Sequence, residues 1–261
     1  MRPPRSLRPR PPHDARAARA VSAAATLVLL PILSAVPLIV APMIGAAVAQ
    51  DSAGEPSFSE PPPPERVVVG NRLVSARDPA IEVWVPESAR YLGARRILID
   101  DRFDAELHVF AEHDEHGLIE RFYWLQFERF LPDAEGRYDY RASNPETVEF
   151  DGLTMHVRPG GENTRNEVIR PGSDYEAFRA LVDGAGLRLP NWLSTLRLVH
   201  LPEPSERIEF IVFYGEGPDA LAEAAAEAMM AGEPGLVFAD MLPALIADVD
   251  ALVDITPPET R

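Results

Sequence analysis

Residues 105–130 read AELHVFAEHDEHGLIERFYWLQFERF and contain the clearest hairpin pattern in the chain. Small or apolar residues occupy every second position over residues 105–111, which is typical of a strand with one buried face. The polar turn 114–117 ends in Gly117 and leads into a second apolar run over residues 118–130. Two such runs joined by a short polar turn predict a pair of antiparallel strands.

The second of these strands is apolar on both faces. Because side chains alternate along a strand, its large residues fall into two sets. These are Phe122, Trp124 and Phe130 on one side, and Tyr123, Leu125 and Phe127 on the other. A strand of this kind must be covered on both faces, so we expect it to lie in the middle of the structure.

Shorter patterns on either side of this hairpin predict the rest of the fold. The further strand candidates are residues 67–74, 81–85, 96–100, 147–150, 153–157, 195–201 and 208–214. Asp151-Gly152 predicts a tight hairpin turn, because both residues tolerate positive φ. Ser173 and Glu176 predict a capping box at the start of one helix, and two more helix candidates are residues 218–231 and a segment capped by Asp240. The order predicts an α+β fold: a curved antiparallel sheet or partial barrel with about three helices packed on it.

The beginning of the chain is typical of a secretory signal peptide. Six arginines and one acid in the first twenty residues precede an apolar run over residues 21–48 that closes in Ala47-Val48-Ala49. We predict a signal peptide over residues 1–49, cleaved after Ala49, with an uncleaved N-terminal anchor as the alternative. Residues 50–66 are proline-rich and predict a flexible linker, followed by a single globular α+β domain over residues 67–261. We therefore expect a periplasmic or secreted protein.

The chain is acidic and contains no cysteine. All 25 basic residues are arginines, and residues 50–261 carry 19 basic and 40 acidic side chains, a net charge of −21. A field of this sign repels phosphate backbones and anionic lipids, so the composition argues against a nucleic-acid partner and against attachment to a membrane surface. Without cysteine, the chain has no disulfide, thiol nucleophile or thiolate metal site.

Two histidines bracket the turn of the central hairpin. His113 and His116 could share a metal ion with neighbouring carboxylates, since imidazole binds zinc and copper well. An exposed polar hairpin tip has the same composition, and no other motif predicts a cofactor. We therefore expect no resident metal or cofactor, and His113 and His116 are the candidates if a metal binds.

The aromatic segment 123–128 supports two interpretations. Its two faces could pack on helices and on a second layer of strands, as in an ordinary core. Alternatively, one face lines a cavity for an apolar or aromatic ligand, with Tyr123, Trp124 and His200 in its wall and Gln126 as an orienting polar group. A lone histidine such as His200 on an apolar strand face is more often a hydrogen-bonded core residue.

No stretch of the chain matches a nucleophilic-serine elbow, a phosphate loop or a dinucleotide fingerprint. We therefore expect an exported, non-enzymatic binding or accessory protein that holds a small apolar ligand or binds another envelope protein. The alternative is an exported hydrolase that uses Asp or Glu with His. A cleft in which His108 or His200 reaches a carboxylate would favour the hydrolase.

Overall fold

The structure, a computed structural model, describes residues 62–141, 146–165, 167–202, 204–217 and 235–256. The predicted signal peptide, most of the predicted linker and the helix candidate at residues 218–231 lie outside these residues. In chain order the described elements are β1 Val67–Val69, β2 Arg72–Ala76, β3 Ala80–Trp84, β4 Arg90–Ile99, β5 Phe103–His113, β6 Ile119–Phe130, β7 Thr147–Phe150, β8 Leu153–Asn163, α1 Asp174–Gly184, β9 Trp192–His200, β10 Ile208–Glu216, α2 Gly235–Leu252 and β11 Asp254–Thr256.

The strands form two open antiparallel sheets. Seven strands pair in the order β4-β5-β6-β10-β9-β8-β7, and four pair in the order β1-β2-β3-β11. β6 lies between β5 and β10, which confirms the central position expected for a strand that is apolar on both faces. The antiparallel α+β prediction is confirmed in part: the described strands form two open sheets, where one curved sheet or partial barrel was expected.

One face of the seven-stranded sheet, here called the sandwich face, packs against the four-stranded sheet. Tyr123 and Phe127 of β6 share one buried cluster with Leu73 of β2 and Val83 of β3. α2 and β11 add four buried side chains to this cluster: Met241, Leu245, Val249 and Ile255. Apolar surface is buried between these two layers, so the small sheet covers one of the two apolar faces of β6.

The opposite face of the large sheet, here called the α1 face, carries Trp124. Helix α1 lies over the β4 and β5 side of this face and packs Phe178 against Trp124. The Ser173 hydroxyl accepts a hydrogen bond from the Glu176 N–H (3.1 Å), as the capping pattern predicted. The Glu176 carboxylate reaches back to the N–H of Gly172 (2.7 Å) rather than to that of Ser173.

The Asp151-Gly152 turn joins β7 to β8 as predicted. Both residues have positive φ, 50° at Asp151 and 82° at Gly152. The Asp151 carboxylate also accepts a hydrogen bond from the N–H of Ile255 (2.7 Å), so this turn is tied to β11.

Strand β8 continues to Asn163, through the Pro159-Gly160-Gly161 sequence that was predicted to begin a loop. Pro159 is tolerated because the pairing of β8 with β7 ends at His156, and beyond that residue β8 pairs only with β9 among the described strands. Gly160 fits because a Cβ at this position would lie 2.6 Å from the Thr195 hydroxyl. The sequence pattern contains no information about such edge positions.

Three further boundaries differ from the predictions. Residues 67–74 form the β1–β2 hairpin rather than one strand, because Gly70 reverses the chain with a φ of 61°. α2 begins at Gly235, so Pro243 lies inside the helix and not in its first turn. The described residues contain two helices where about three were expected, and neither is long and apolar enough to cross a bilayer.

Candidate ligand-binding groove

Strand alternation separates the four residues that were predicted to line a pocket. Trp124 and Gln126 lie on the α1 face, whereas Tyr123 lies on the sandwich face, where its hydroxyl donates to Glu112 (2.7 Å). His200 follows the buried sandwich-face residues of β9, and its Nδ1 lies 3.1 Å from a backbone carbonyl of β8. Trp124 and Gln126 line the same depression, whereas Tyr123 and His200 line none of the cavities described below, and a ligand at these four residues stays a prediction.

The two histidines at the hairpin turn are both exposed. His113 Nδ1 lies 2.8 Å from the Asp114 carbonyl oxygen, and His116 Nε2 lies 3.6 Å from the Glu115 carboxylate. Among the described residues, no group of three or more His, Asp or Glu side chains is arranged to hold a metal ion. Metal binding at His113 and His116 stays a prediction of the sequence.

Three adjoining depressions form a groove on the α1 face, beside α1. Their volumes are about 360, 220 and 200 Å³, and Phe213 of β10 lines all three. The 220 Å³ depression lies over β8, β9 and β10, and the other two also border β6 and the first turns of α1. Trp124 and Gln126 line the 200 Å³ depression. These depressions together are called the groove below, and the largest is called the main cavity.

The main cavity has an apolar floor made of Phe122, Phe178, Leu193 and Phe213. Trp124 stacks on Phe178 with 4.9 Å between ring centroids and 8° between planes, and it meets Phe213 edge-on at 5.5 Å. Both arrangements are favoured aromatic geometries. Trp124 therefore holds Phe178 and Phe213 in contact with one ring system that extends beneath the cavity.

Carboxylates line the wall of the main cavity. Glu162 of β8, Glu167 and Asp174 at the start of α1 all border it, and Tyr175 donates its hydroxyl hydrogen bond to Glu167. Burial raises the pKa of Glu162, and the nearby charge of Glu167 raises it further. Burial also raises the pKa of Glu167, although the bond from Tyr175 lowers it. These carboxylates therefore carry a desolvation cost while facing an open cavity.

A second pair of carboxyl groups lies beside the groove. Glu128 of β6 and Glu209 of β10 are direct cross-strand neighbours. Burial is the largest cause that raises the pKa of Glu209 to about 7, and the charge of Glu128 is the next. Burial also raises the pKa of Glu128. Tyr138 donates to Glu128 (2.9 Å) and Tyr140 donates to Glu209 (2.5 Å).

Hydrogen bonds connect this carboxyl pair to the groove. The Trp124 indole N–H donates to the Gln126 side-chain oxygen (2.9 Å), and the Gln126 amide donates to Glu128 (2.8 Å). Arg197, which also lines the groove, lies 3.5 Å from Glu209. Protonation of Glu128 or Glu209 therefore changes the interactions that orient Gln126 and Arg197 in the wall of the groove.

Only some of the carboxylates in and beside the groove could be predicted from sequence patterns. Alternation along β6 places Glu128 on the same face as Trp124 and Gln126, so this residue could have been identified. Its partner Glu209 could not, because β6 and β10 are far apart in sequence and their register follows from tertiary packing. Glu162 was missed because the strand was expected to end before Pro159.

His108 does contact a carboxylate, but in a closed interior. Its Nε2 lies 2.8 Å from Glu106 Oε1, and both side chains are 1% exposed. Burial alone would raise the pKa of Glu106, but bonds from His108 and from the N–H groups of Glu65 and Arg66 lower it to about 2. The void beside Glu106 measures about 10 Å³, which has room for one water at most. Glu106 also accepts hydrogen bonds from the N–H groups of Glu65 (2.7 Å) and Arg66 (2.8 Å), and this interior contact offers no cleft to a substrate.

Comparisons of the chain with known protein families, with curated proteins and with solved structures find no match.

Proposed function

We propose that this chain is an exported, non-enzymatic binding protein that holds a small ligand with an apolar body in the groove. The observation that carries this proposal is the main cavity of about 360 Å³ with its floor of Phe122, Phe178, Leu193 and Phe213. Cavities of this size with an apolar lining and a few polar groups are typical of small-molecule sites. The ring contacts of Trp124 support a groove that exists before the ligand arrives.

A thermal-shift screen tests the groove. A ligand that binds only the folded state raises the melting temperature by an amount that grows with the ratio of its concentration to its Kd, so alcohols, amines and aromatic acids can be compared at equal concentration. We expect Phe213→Ala to abolish the rise, because Phe213 lines all three depressions. Val168→Ala should weaken it without affecting the fold, since Val168 lines the main cavity and is 93% exposed.

The matched control for these variants is Leu98→Ala, which removes an exposed apolar side chain of β4 that lines none of the three depressions. This variant should respond to ligands as the unaltered protein does. An absence of any ligand response, or a response that Leu98→Ala and Phe213→Ala reduce equally, would count against the groove.

Export forms a separate part of the proposal. The arginine-rich start, the apolar run and Ala47-Val48-Ala49 support a cleaved signal peptide, and the alternative to a small ligand is another envelope protein as partner. N-terminal sequencing of the native protein should find Gln50 as the first residue. A full-length product recovered from the cytosol would contradict export.

The hydrolase alternative has one specific observation in its favour, the Glu128 and Glu209 pair beside the groove. Two carboxyl groups with separated pKa values are the usual requirement for general acid–base hydrolysis. Neither carboxylate lines the groove, however, and Glu209 is 2% exposed. Hydrolysis of chromogenic glycosides that Glu209→Gln abolishes would establish this alternative over simple binding.

A further inference from the structure

The charges that border the main cavity are unevenly matched. Three carboxylates line it, those of Glu162, Glu167 and Asp174, whereas Arg170 is the one cation among its described lining residues. The guanidinium of Arg170 already pairs with Asp100 at 3.2 Å. The described lining of the main cavity therefore contains more acidic than basic side chains.

Glu162 and Glu167 are close enough for the charge of Glu167 to raise the pKa of Glu162. Arg158, which lines the 220 Å³ depression on the other side of Glu162, opposes this effect but does not cancel it. At Glu167, Arg179 and the Tyr175 hydroxyl likewise fall short of offsetting burial. Both carboxylates are thus under-compensated by the protein itself, and a cation between them would relieve both burial and repulsion.

The site offers little to an anion. The N-terminus of a helix normally attracts anions through its free N–H groups. At α1, however, the Ser173 hydroxyl accepts from the Glu176 N–H (3.1 Å), and the Asp174 carboxylate accepts from the Tyr175 N–H (2.8 Å). These donors are satisfied by side chains of the chain, one of which is itself an anion.

We propose that the ligand of the groove is an organic cation, an amine whose ammonium group binds between Glu162 and Glu167 and whose apolar body lies on Phe122 and Phe213. This inference rests on the proposed binding function and specifies its ligand class. The aromatic floor adds to the preference, because the faces of Phe rings attract cations as well as apolar groups. The strongly acidic composition of residues 50–261 also concentrates cations near the protein.

Three probes that share one apolar group and differ in charge show whether the groove prefers a cation to a neutral ligand or an anion. These are phenylbutylamine, phenylbutanol and phenylbutyrate, titrated calorimetrically into the full domain at slightly alkaline pH. We expect phenylbutylamine to bind at least about tenfold tighter than phenylbutanol, because an ion pair in a partly buried site adds to the apolar contact. Phenylbutyrate should bind more weakly than the alcohol.

Two conservative variants locate the ammonium group. Glu162→Gln and Glu167→Gln keep the side-chain shape and should each bring the affinity for phenylbutylamine close to that for phenylbutanol. Glu115→Gln is the matched control, since it removes the same charge from a side chain that is 87% exposed and outside the groove. This control should keep the full preference for the amine.

The possible failures are distinguishable. If phenylbutanol binds as tightly as phenylbutylamine and Phe213→Ala abolishes both, the cation inference is overturned while the groove remains a binding site. Tighter binding of phenylbutyrate overturns the inference in the same way. If none of the three probes binds and no other ligand raises the melting temperature, both the inference and the proposed function fail.

Discussion

Glu128 of β6 and Glu209 of β10 lie directly opposite each other in adjacent antiparallel strands, with both side chains on the α1 face. Like charges at such positions repel each other, and burial strengthens the effect. The protein moderates the repulsion with one tyrosine hydroxyl for each carboxyl group, from Tyr138 and Tyr140. The remaining strain keeps a proton on the pair until near-neutral pH, since the pKa of Glu209 is raised to about 7.

This relationship predicts an unusual pH dependence of stability. A carboxyl group whose pKa is higher in the folded protein binds more protons in the folded state, so its contribution to stability falls as pH rises. The fall should extend from about pH 4.5, the ordinary glutamate value, to about pH 7. Glu209→Gln should remove this slope and stabilise the protein at pH 7.5, relative to the unaltered chain, by on the order of 1–3 kcal/mol. Urea unfolding at pH 5 and pH 7.5 measures both effects, and parallel pH profiles for the two proteins would contradict the assignment.

The buried contact between Glu106 and Arg66 predicts the opposite sign. The pKa of Glu106 is lowered to about 2, so its contribution to stability is complete above its unfolded value and is lost as pH falls toward 2. Glu106→Gln should destabilise the protein by about 3–5 kcal/mol, because it leaves the Arg66 side chain, 7% exposed, without its buried partner. Urea unfolding at pH 7 checks this value. Glu120→Gln, at an exposed position of β6, is the control and should change the free energy of unfolding by less than about 0.5 kcal/mol.

The contact between Gly215 and Phe122 predicts a steric effect next to the groove. A Cβ at Gly215 would lie 2.2 Å from the Phe122 ring, so Gly215→Ala should destabilise the protein by about 1–3 kcal/mol through overpacking. Combining it with Phe122→Leu should recover part of the loss, because the clashing ring is removed. Gly184→Ala, where a Cβ meets nothing within 4 Å, should be neutral or slightly stabilising. Additive effects of Gly215→Ala and Phe122→Leu in a double-mutant cycle would show that the two residues do not clash.

Trp124 predicts an optical signal for ligand binding. Its indole lines the 200 Å³ depression and contacts both Phe178 and Phe213, so a ligand in the groove should change its fluorescence. Trp124→Phe should lose this change but still bind phenylbutylamine in calorimetry. Trp84, which is 44% exposed and stacks on Arg72 of the small sheet, and Trp192 at the start of β9 supply the background emission. A fluorescence change of equal size in Trp124→Phe would place the ligand elsewhere.

The sequence predicted those parts of the structure in which local pattern and tertiary environment agree. The two-sided apolar character of β6, the Asp151-Gly152 turn and the Ser173 cap were all readable, because each depends on neighbours within a few residues. The α+β class was also recovered. A second layer of strands over segment 123–128 was one of two interpretations, but the strands that form it could not be named, because the layer depends on β2 and β3 packing against the distant strand β6.

Of the residues that line the groove, only those of β6 could be predicted from the sequence. Trp124 and Gln126 were identified from the aromatic segment, and they do line a cavity. Tyr123 was grouped with them by sequence proximity, although adjacent strand residues point to opposite faces. Glu162, Phe213 and Arg197 come from strands whose pairing order β10-β9-β8 is set by tertiary packing, so no local pattern could have assembled them.

Binding of phenylbutylamine in the groove can be located by NMR chemical-shift mapping of the domain during a titration. If the groove is the binding site, the largest shifts should occur at Phe122, Glu162, Tyr175 and Phe213, with little change on the sandwich face. Shifts centred on the small sheet or on the hairpin turn at His113, or no saturable shifts at all, would contradict it.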